Sequence, residues 1–330
     1  MSSNISSRPS RPAVWRQIRA LRSSPPGRAG KGDRKRVFGS ALEQAEQLFT
    51  AAEGAGYASR PILLFYGLSQ AGRAIAAAST AAGNDSYKLS GHGIKALDLD
   101  QRPPLPALTV KDDGAGSFTH LAQLLGSVSL PKSAPLGQLW AAIPDLLATP
   151  LDTGSRQYLP VLQLQYIQSG DDVPGELGWI VGLPERPGGY DKIPEKEIQA
   201  ILRSYPTLAG NHPLGEEVWF KARIDYRDRS TVRFWPHYTY PWKADQPYRD
   251  DYDRWVFPPF DEEGNTLHPL LAWWSLLFAL SMLARYEPAS WISNLDVDVS
   301  PNAVQLEAAL DEALGSCPEL VLRAIRTVTT

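Results

Sequence analysis

One stretch constrains the fold more than any other: Ile62-Leu63-Leu64-Phe65-Tyr66, five large apolar or aromatic residues in a row behind Ser59 and Pro61. Proline in the first helical turn sacrifices nothing, because the amide hydrogen it lacks would have no partner there. The run therefore predicts a helix from Ser59 through Leu68 to Ala82, stopped by Gly83-Asn84. A helix that is apolar on every side has no face to give to water, so other elements must surround it. At 330 residues, 43% of them apolar and 10% aromatic, the chain has enough core-forming side chains to do so.

The flanking pattern supplies candidates for those surroundings. Ser40 and Glu43 have capping-box spacing, and Ala41, Leu42, Ala45, Leu48, Phe49 and Ala52 fall on one helical face that ends at Gly54 and Gly56. Trp15, Ile18 and Leu21 suggest a short helix further upstream, before Ser23 to Gly32 breaks the pattern. Near the other end, Leu270 to Ala284 is uncharged and apolar, bounded by Pro269 and Arg285, and is too short to span a bilayer. It reads as a buried core helix. Ser300-Pro301 and Ser316 to Pro318 serve as start signals for two last helices.

Between about 100 and 265 the texture changes. Helical patches at 118–128, 136–148 and 194–208 alternate with runs rich in β-branched and aromatic residues at 161–167, 179–183, 218–224 and 231–238. The segment from Tyr240 to Phe260, with four prolines among its rings, reads as an extended loop. The expected fold is α+β and mainly α, a helical bundle formed by the N- and C-terminal parts around a mixed, largely antiparallel β insertion. By region this gives a basic, partly disordered arm over 1–36 and one composite domain over 37–330, helical over 37–99 and 266–330 and mixed β over 100–265.

Charge is distributed unevenly. Residues 1–36 hold ten Lys or Arg against Asp33, about +9, which leaves −12 for the rest of a chain whose formal total is −3. A basic arm of that kind either contacts phosphates or is simply solvated. The single cysteine, Cys317, excludes an intramolecular disulfide, and no Cys/His cluster has zinc spacing. A cytoplasmic location fits, since the N-terminal arginines precede no apolar segment of a secretory signal. No phosphate-binding loop is present, so no cofactor is indicated.

Several of these residues carry a family likeness. Trp15 with its helix, Ala41-Leu42-Glu43-Gln44-Ala45, the Pro61 to Tyr66 run, Gly91-His92-Gly93, and Ser281-Met282-Leu283-Ala284-Arg285-Tyr286-Glu287-Pro288 followed by Trp291 resemble the YaaC-like family of bacterial proteins over most of the chain. That resemblance implies a relationship and not a reaction. Phe65 departs from it, standing where a pair of tyrosines is expected, and the proline-broken arm is peculiar to this sequence. The order of an amphipathic helix, a helix with an aromatic pair and Arg73, and a loop with His92 also looks like HEPN-type helical domains of toxins and defence systems. Catalytic members of that group cleave RNA with an arginine and a histidine at short fixed spacing. Arg233 and His237 are too close, Arg229 and His237 too far apart, and Arg73 lies well upstream of His92, so the nuclease spacing is absent.

The chemistry-bearing candidates follow. His92 between two glycines sits where the backbone can take positive φ and bring an imidazole close to a partner, or where it caps a helix end. Arg285-Tyr286 closes the most apolar helix, where a guanidinium either meets a carboxylate or phosphate or opposes the negative helix end. Arg73 and Tyr66 lie on the central helix, and the question is whether Arg285, Arg73 or Tyr66 converge on His92. Arg233 and His237 share one face of a strand pattern and, with Tyr286, are candidate binding residues. Gly67-Leu68-Ser69-Gln70-Ala71 imitates a serine nucleophile elbow, with Asp171 or Asp225 and His237 or His268 in the required order. The expected partner is RNA or a protein, with a serine hydrolase and a non-catalytic scaffold as alternatives.

Overall fold

The computed structural model describes residues 10–83, 86–130, 132–152, 158–167, 177–181 and 254–330, with 200, 204–205, 223–224, 231–234 and 246–247 between them. Contacts divide the chain into two compact units. One is Met1–Trp140 with Ala148–Thr153 and His268–Thr330; the other is Ala141–Leu147 with Gly154–Leu267.

The first unit is a helical bundle built from both ends of the chain. From the N-terminal side come α1 (Arg11–Ser23), α2 (Gly32–Gly54), α3 (Arg60–Ala78), α4 (Ser117–Leu124) and the start of α5 (Leu136–Ala141). From the C-terminal side come α6 (Pro269–Tyr286), α7 (Pro288–Leu295) and α8 (Ala303–Thr329). Helix α3 is the centre, packed by α2, α6, α8 and α4, as its all-round apolar sequence requires. Leu64, Phe65, Leu68 and Ile75 are completely buried, each contributing about 2 kcal/mol. Gly67 lets α2 pass close, because a Cβ there would lie 2.8 Å from the Phe49 ring.

Helix α6 has the length and apolarity of a membrane span, yet all its residues from Pro269 to Ser281 are buried. Its N-cap is His268, whose Nδ1 accepts the Leu270 N–H at 3.1 Å while its own N–H donates to Ser127 Oγ. Burial and nearby Arg323 push this imidazole down to about 4, which keeps the capping nitrogen free of a proton.

Three boundaries differ from the sequence reading. Helix α2 starts at Gly32 and not at Ser40, so the boundary at residue 36 falls within it. Ser40 Oγ donates back to the Arg36 carbonyl instead of capping. Residues 11–36 are folded onto the bundle: Val14 and Ile18 are buried, and Arg34 donates to the Ala77, Ser79, Ala82 and Gly83 carbonyls at and beyond the end of α3. Pro318 does not start a helix but lies inside the 27-residue α8. Its ring removes one backbone bond, and burial of Leu314, Cys317 and Val321 on either side holds the helix together.

A three-stranded antiparallel sheet, β1 (Ile94–Leu97), β2 (Thr109–Asp112) and β3 (Ala134–Pro135), belongs to this unit as well. Its first strand falls in a region read as helical. The strands are two to four residues long, too short for alternation to register.

The second unit contains a six-stranded sheet of β4 (Leu162–Ile167), β5 (Leu177–Val181), β6 (Arg223–Ile224), β7 (Thr231–Phe234), β8 (Gln246–Pro247) and β9 (Arg254–Val256). Its order is β6-β7-β5-β4-β9-β8, and every pairing is antiparallel. The proposed extended loop at 240–260 thus contains two strands, β9 pairing with β4 through Gln163 and Trp255. The helix read at 194–208 lies mostly outside the described residues. The fold is α+β and mainly α.

Candidate functional site

The Gly91-His92-Gly93 loop owes its shape to a crossing of two chains. Gly91 and Gly93 take φ of +63° and +69°, and a Cβ on Gly93 would lie 2.8 Å from the backbone of Gly116. The loop carbonyls serve the start of α4: Gly91 O accepts from the Ser117 hydroxyl at 2.7 Å, and His92 O accepts the Phe118 N–H at 2.9 Å. His92 does cap a helix, then, but with its backbone. Its imidazole is left for other use.

That imidazole is exposed at one edge and backed by rings. Its centroid lies 5.4 Å from Phe65, 5.9 Å from Phe278 and 6.5 Å from Tyr66. Partial burial holds its pKa below the ordinary histidine value, and the positive charges of Arg285 and Arg73 push it the same way. Both arginines thus favour the uncharged ring.

Arg285 occupies the last turn of α6, where its charge also opposes the helix end. Its Nη1 donates to the Tyr66 hydroxyl at 3.1 Å and its Nη2 to the Tyr286 hydroxyl at 2.9 Å, and the guanidinium carbon lies 4.9 Å from the Tyr286 ring centroid. Phenols hold it in place without neutralising it. Arg73 stands seven residues after Tyr66 on α3, on the same helical face, and is exposed. Among the described residues neither arginine is in an ion pair. The site thus joins two cations with no carboxylate partner to a neutral imidazole and two phenols, a set of donors suited to an anion.

Tyr66 lies against His92 and accepts from Arg285, which also donates to Tyr286, while Arg73 reaches His92 only through its charge. Phe65 and Phe278 form the apolar backing, a role not foreseen for Phe278, although it lies seven residues before Arg285 on α6 and so faces the same way. Arg233 lies in β7, paired with Trp179 and Arg223, and His237, Asp171 and Asp225 lie outside the described residues.

The serine elbow does not form. Ser69 is buried in the middle of α3, with no strand before it among the described residues, and Gly67 serves helix packing instead. His268, its potential base, is committed as a cap. The basic α1 is similarly engaged: Arg19 pairs with Glu46 at 3.3 Å, Arg22 with Glu43 and Arg11 with Glu53.

A family model described as YaaC-like protein matches residues 6–325, nearly the whole chain. The chain belongs to the YaaC-like protein family. The match includes every residue of the His92 site, so the site lies within the family domain. No curated protein and no solved structure matches the chain.

Proposed function

We propose that the site formed by Tyr66, Arg73, His92, Arg285 and Tyr286 binds the phosphate backbone of RNA, and that this YaaC-like protein is a HEPN-related RNA-binding component of a bacterial defence or stress system in the cytoplasm. The observation that carries the reading is Arg285, held by two phenols and in no ion pair among the described residues, acting together with the charge of Arg73 on one neutral histidine. Guanidinium donors match phosphate oxygens, and exposed Tyr286 offers a face on which an unpaired base stacks. His92 supplies one N–H donor and one lone pair without adding charge.

The test is fluorescence anisotropy with a labelled single-stranded RNA of about 12 nucleotides, long enough to cover one binding site. His92→Ala and Arg285→Ala are each expected to weaken binding by about tenfold or more, with unchanged thermal unfolding. Unchanged affinity in both would remove the site assignment. If the wild-type protein binds no RNA, the scaffold reading takes its place.

A further inference from the structure

All five large apolar side chains that the described residues leave exposed fall within one 19-residue segment: Tyr286 at 57%, Ile292 at 51%, Val297 at 63%, Val299 at 64% and Val304 at 62%. The last four span the end of α7, the turn after it and the first turn of α8. Scattered surface apolar residues need no explanation, but their confinement to one connection does.

The connection is rigid. Asp296 Oδ1 accepts the Asp298 N–H at 3.0 Å, and the Asp296 carbonyl accepts from Val299 and Ser300 at 3.1 and 2.8 Å. Asn302 ties the turn to the chain at Asp152, whose N–H donates to its Oδ1 at 2.7 Å. Trp291, 1% exposed, anchors α7 by donating its indole N–H to the Ala58 carbonyl at 3.0 Å. The valines are therefore held outward by a fixed backbone, at no ordering cost on binding.

Along the sequence this segment carries one sign of charge. No Lys or Arg occurs between Arg285 and Arg323, while Glu287, Asp296, Asp298, Glu307, Asp311, Glu312 and Glu319 do. Glu287 is paired with Arg102, and Asp311 with Arg60. Asp296, Asp298 and Glu312 are in no ion pair among the described residues.

We propose that the ridge from Ile292 to Val304 docks a basic amphipathic segment of a partner protein, whose apolar side chains cover Ile292, Val297, Val299 and Val304 while its Lys or Arg meet Asp296 and Asp298. Burial of the valines supplies the affinity, and the acids select the partner by sign and repel wrong ones. Nucleic acid and anionic lipid surfaces are repelled by the same carboxylates. A second copy presenting this ridge to itself would bring like charges together.

The test uses the full chain and a fluorescein-labelled amphipathic peptide of Lys and Leu about 18 residues long, with a Glu/Leu peptide of the same pattern as control. Binding of the Lys/Leu peptide is expected to weaken about tenfold in the Val297→Ser/Val299→Ser variant and about threefold in Asp298→Asn, while the Glu/Leu peptide does not bind. RNA affinity should be the same in these variants as in the wild type, which separates this surface from the His92 site. Absent binding, or equal binding by the variants, would overturn the proposal. So would a concentration-dependent dimer, or attachment to anionic vesicles, that is lost in Val297→Ser/Val299→Ser.

Discussion

Two sets of basic side chains in the bundle, similar in composition, have opposite fates. Arg34, in the first turn of α2, is buried and gives its donors to the carbonyls of Ala77, Ser79, Ala82 and Gly83 at the end of α3, with Arg28 adding a bond to Ala82. His268 spends its ring nitrogen on the first turn of α6. Near the junction of α3 with the end of α6, Arg285 and His92 meet phenols and rings among the described residues, and exposed Arg73 is in no ion pair there. The first set completes the backbone bonding of the helix ends. The second bonds to no backbone carbonyl among the described residues. What a basic residue does here depends on the acceptors around it more than on its own chemistry.

The sharpest way to break that comparison is Arg34→Ala. It would leave several buried carbonyls without partners, so a loss of about 4 kcal/mol in urea unfolding is expected, with a lower melting temperature. A change below about 1 kcal/mol would mean that water replaces the guanidinium, and that Arg34 is no more committed than Arg285.

His268 tests the same point by pH. Its folded pKa of about 4 lies below the ordinary 6.5, so the unfolded chain takes up the proton first as pH falls. Stability from the neutral cap is complete above about pH 6.5 and is lost as pH falls toward 4, by up to about 3 kcal/mol. His268→Asn keeps a capping acceptor that does not titrate, and should flatten the profile through this window. An unaltered profile would place the pH dependence elsewhere.

The smallest stability effect belongs to the uncommitted set. Arg285→Ala removes a half-exposed side chain held by two phenols, and should cost less than about 1 kcal/mol. A larger loss would move Arg285 into the structural class.

Much of the bundle was legible because its signals are local and strong. Pro61 and the run to Tyr66 fix α3 and its central place, and Pro269 with the uncharged run behind it fixes α6. The site was legible as chemistry: His92 between glycines and Arg285-Tyr286 after a core helix marked groups worth bringing together. Their convergence was not, because it depends on the crossing of Gly93 over Gly116 and on the packing of α6 against α3, which no local pattern encodes. Local signals also misled where tertiary contacts overrule them. Ser40 and Glu43 imitate a capping box inside α2, whose first turns are polar and charged. Pro318 imitates a start inside α8, where burial outweighs the lost bond. The serine of Gly67-Leu68-Ser69-Gln70-Ala71 imitates an elbow, while its glycine is there to let the Phe49 ring approach.

The salt dependence of RNA binding tests the central claim most directly. For a single strand, each phosphate neutralised contributes about 0.7 to the slope of log affinity against log salt, so the Arg73→Ala/Arg285→Ala variant should lose about 1.4 from the wild-type slope. Thermal unfolding should change little. A slope equal to that of the wild type would show that neither arginine meets a phosphate, and would contradict the assignment of this site to RNA.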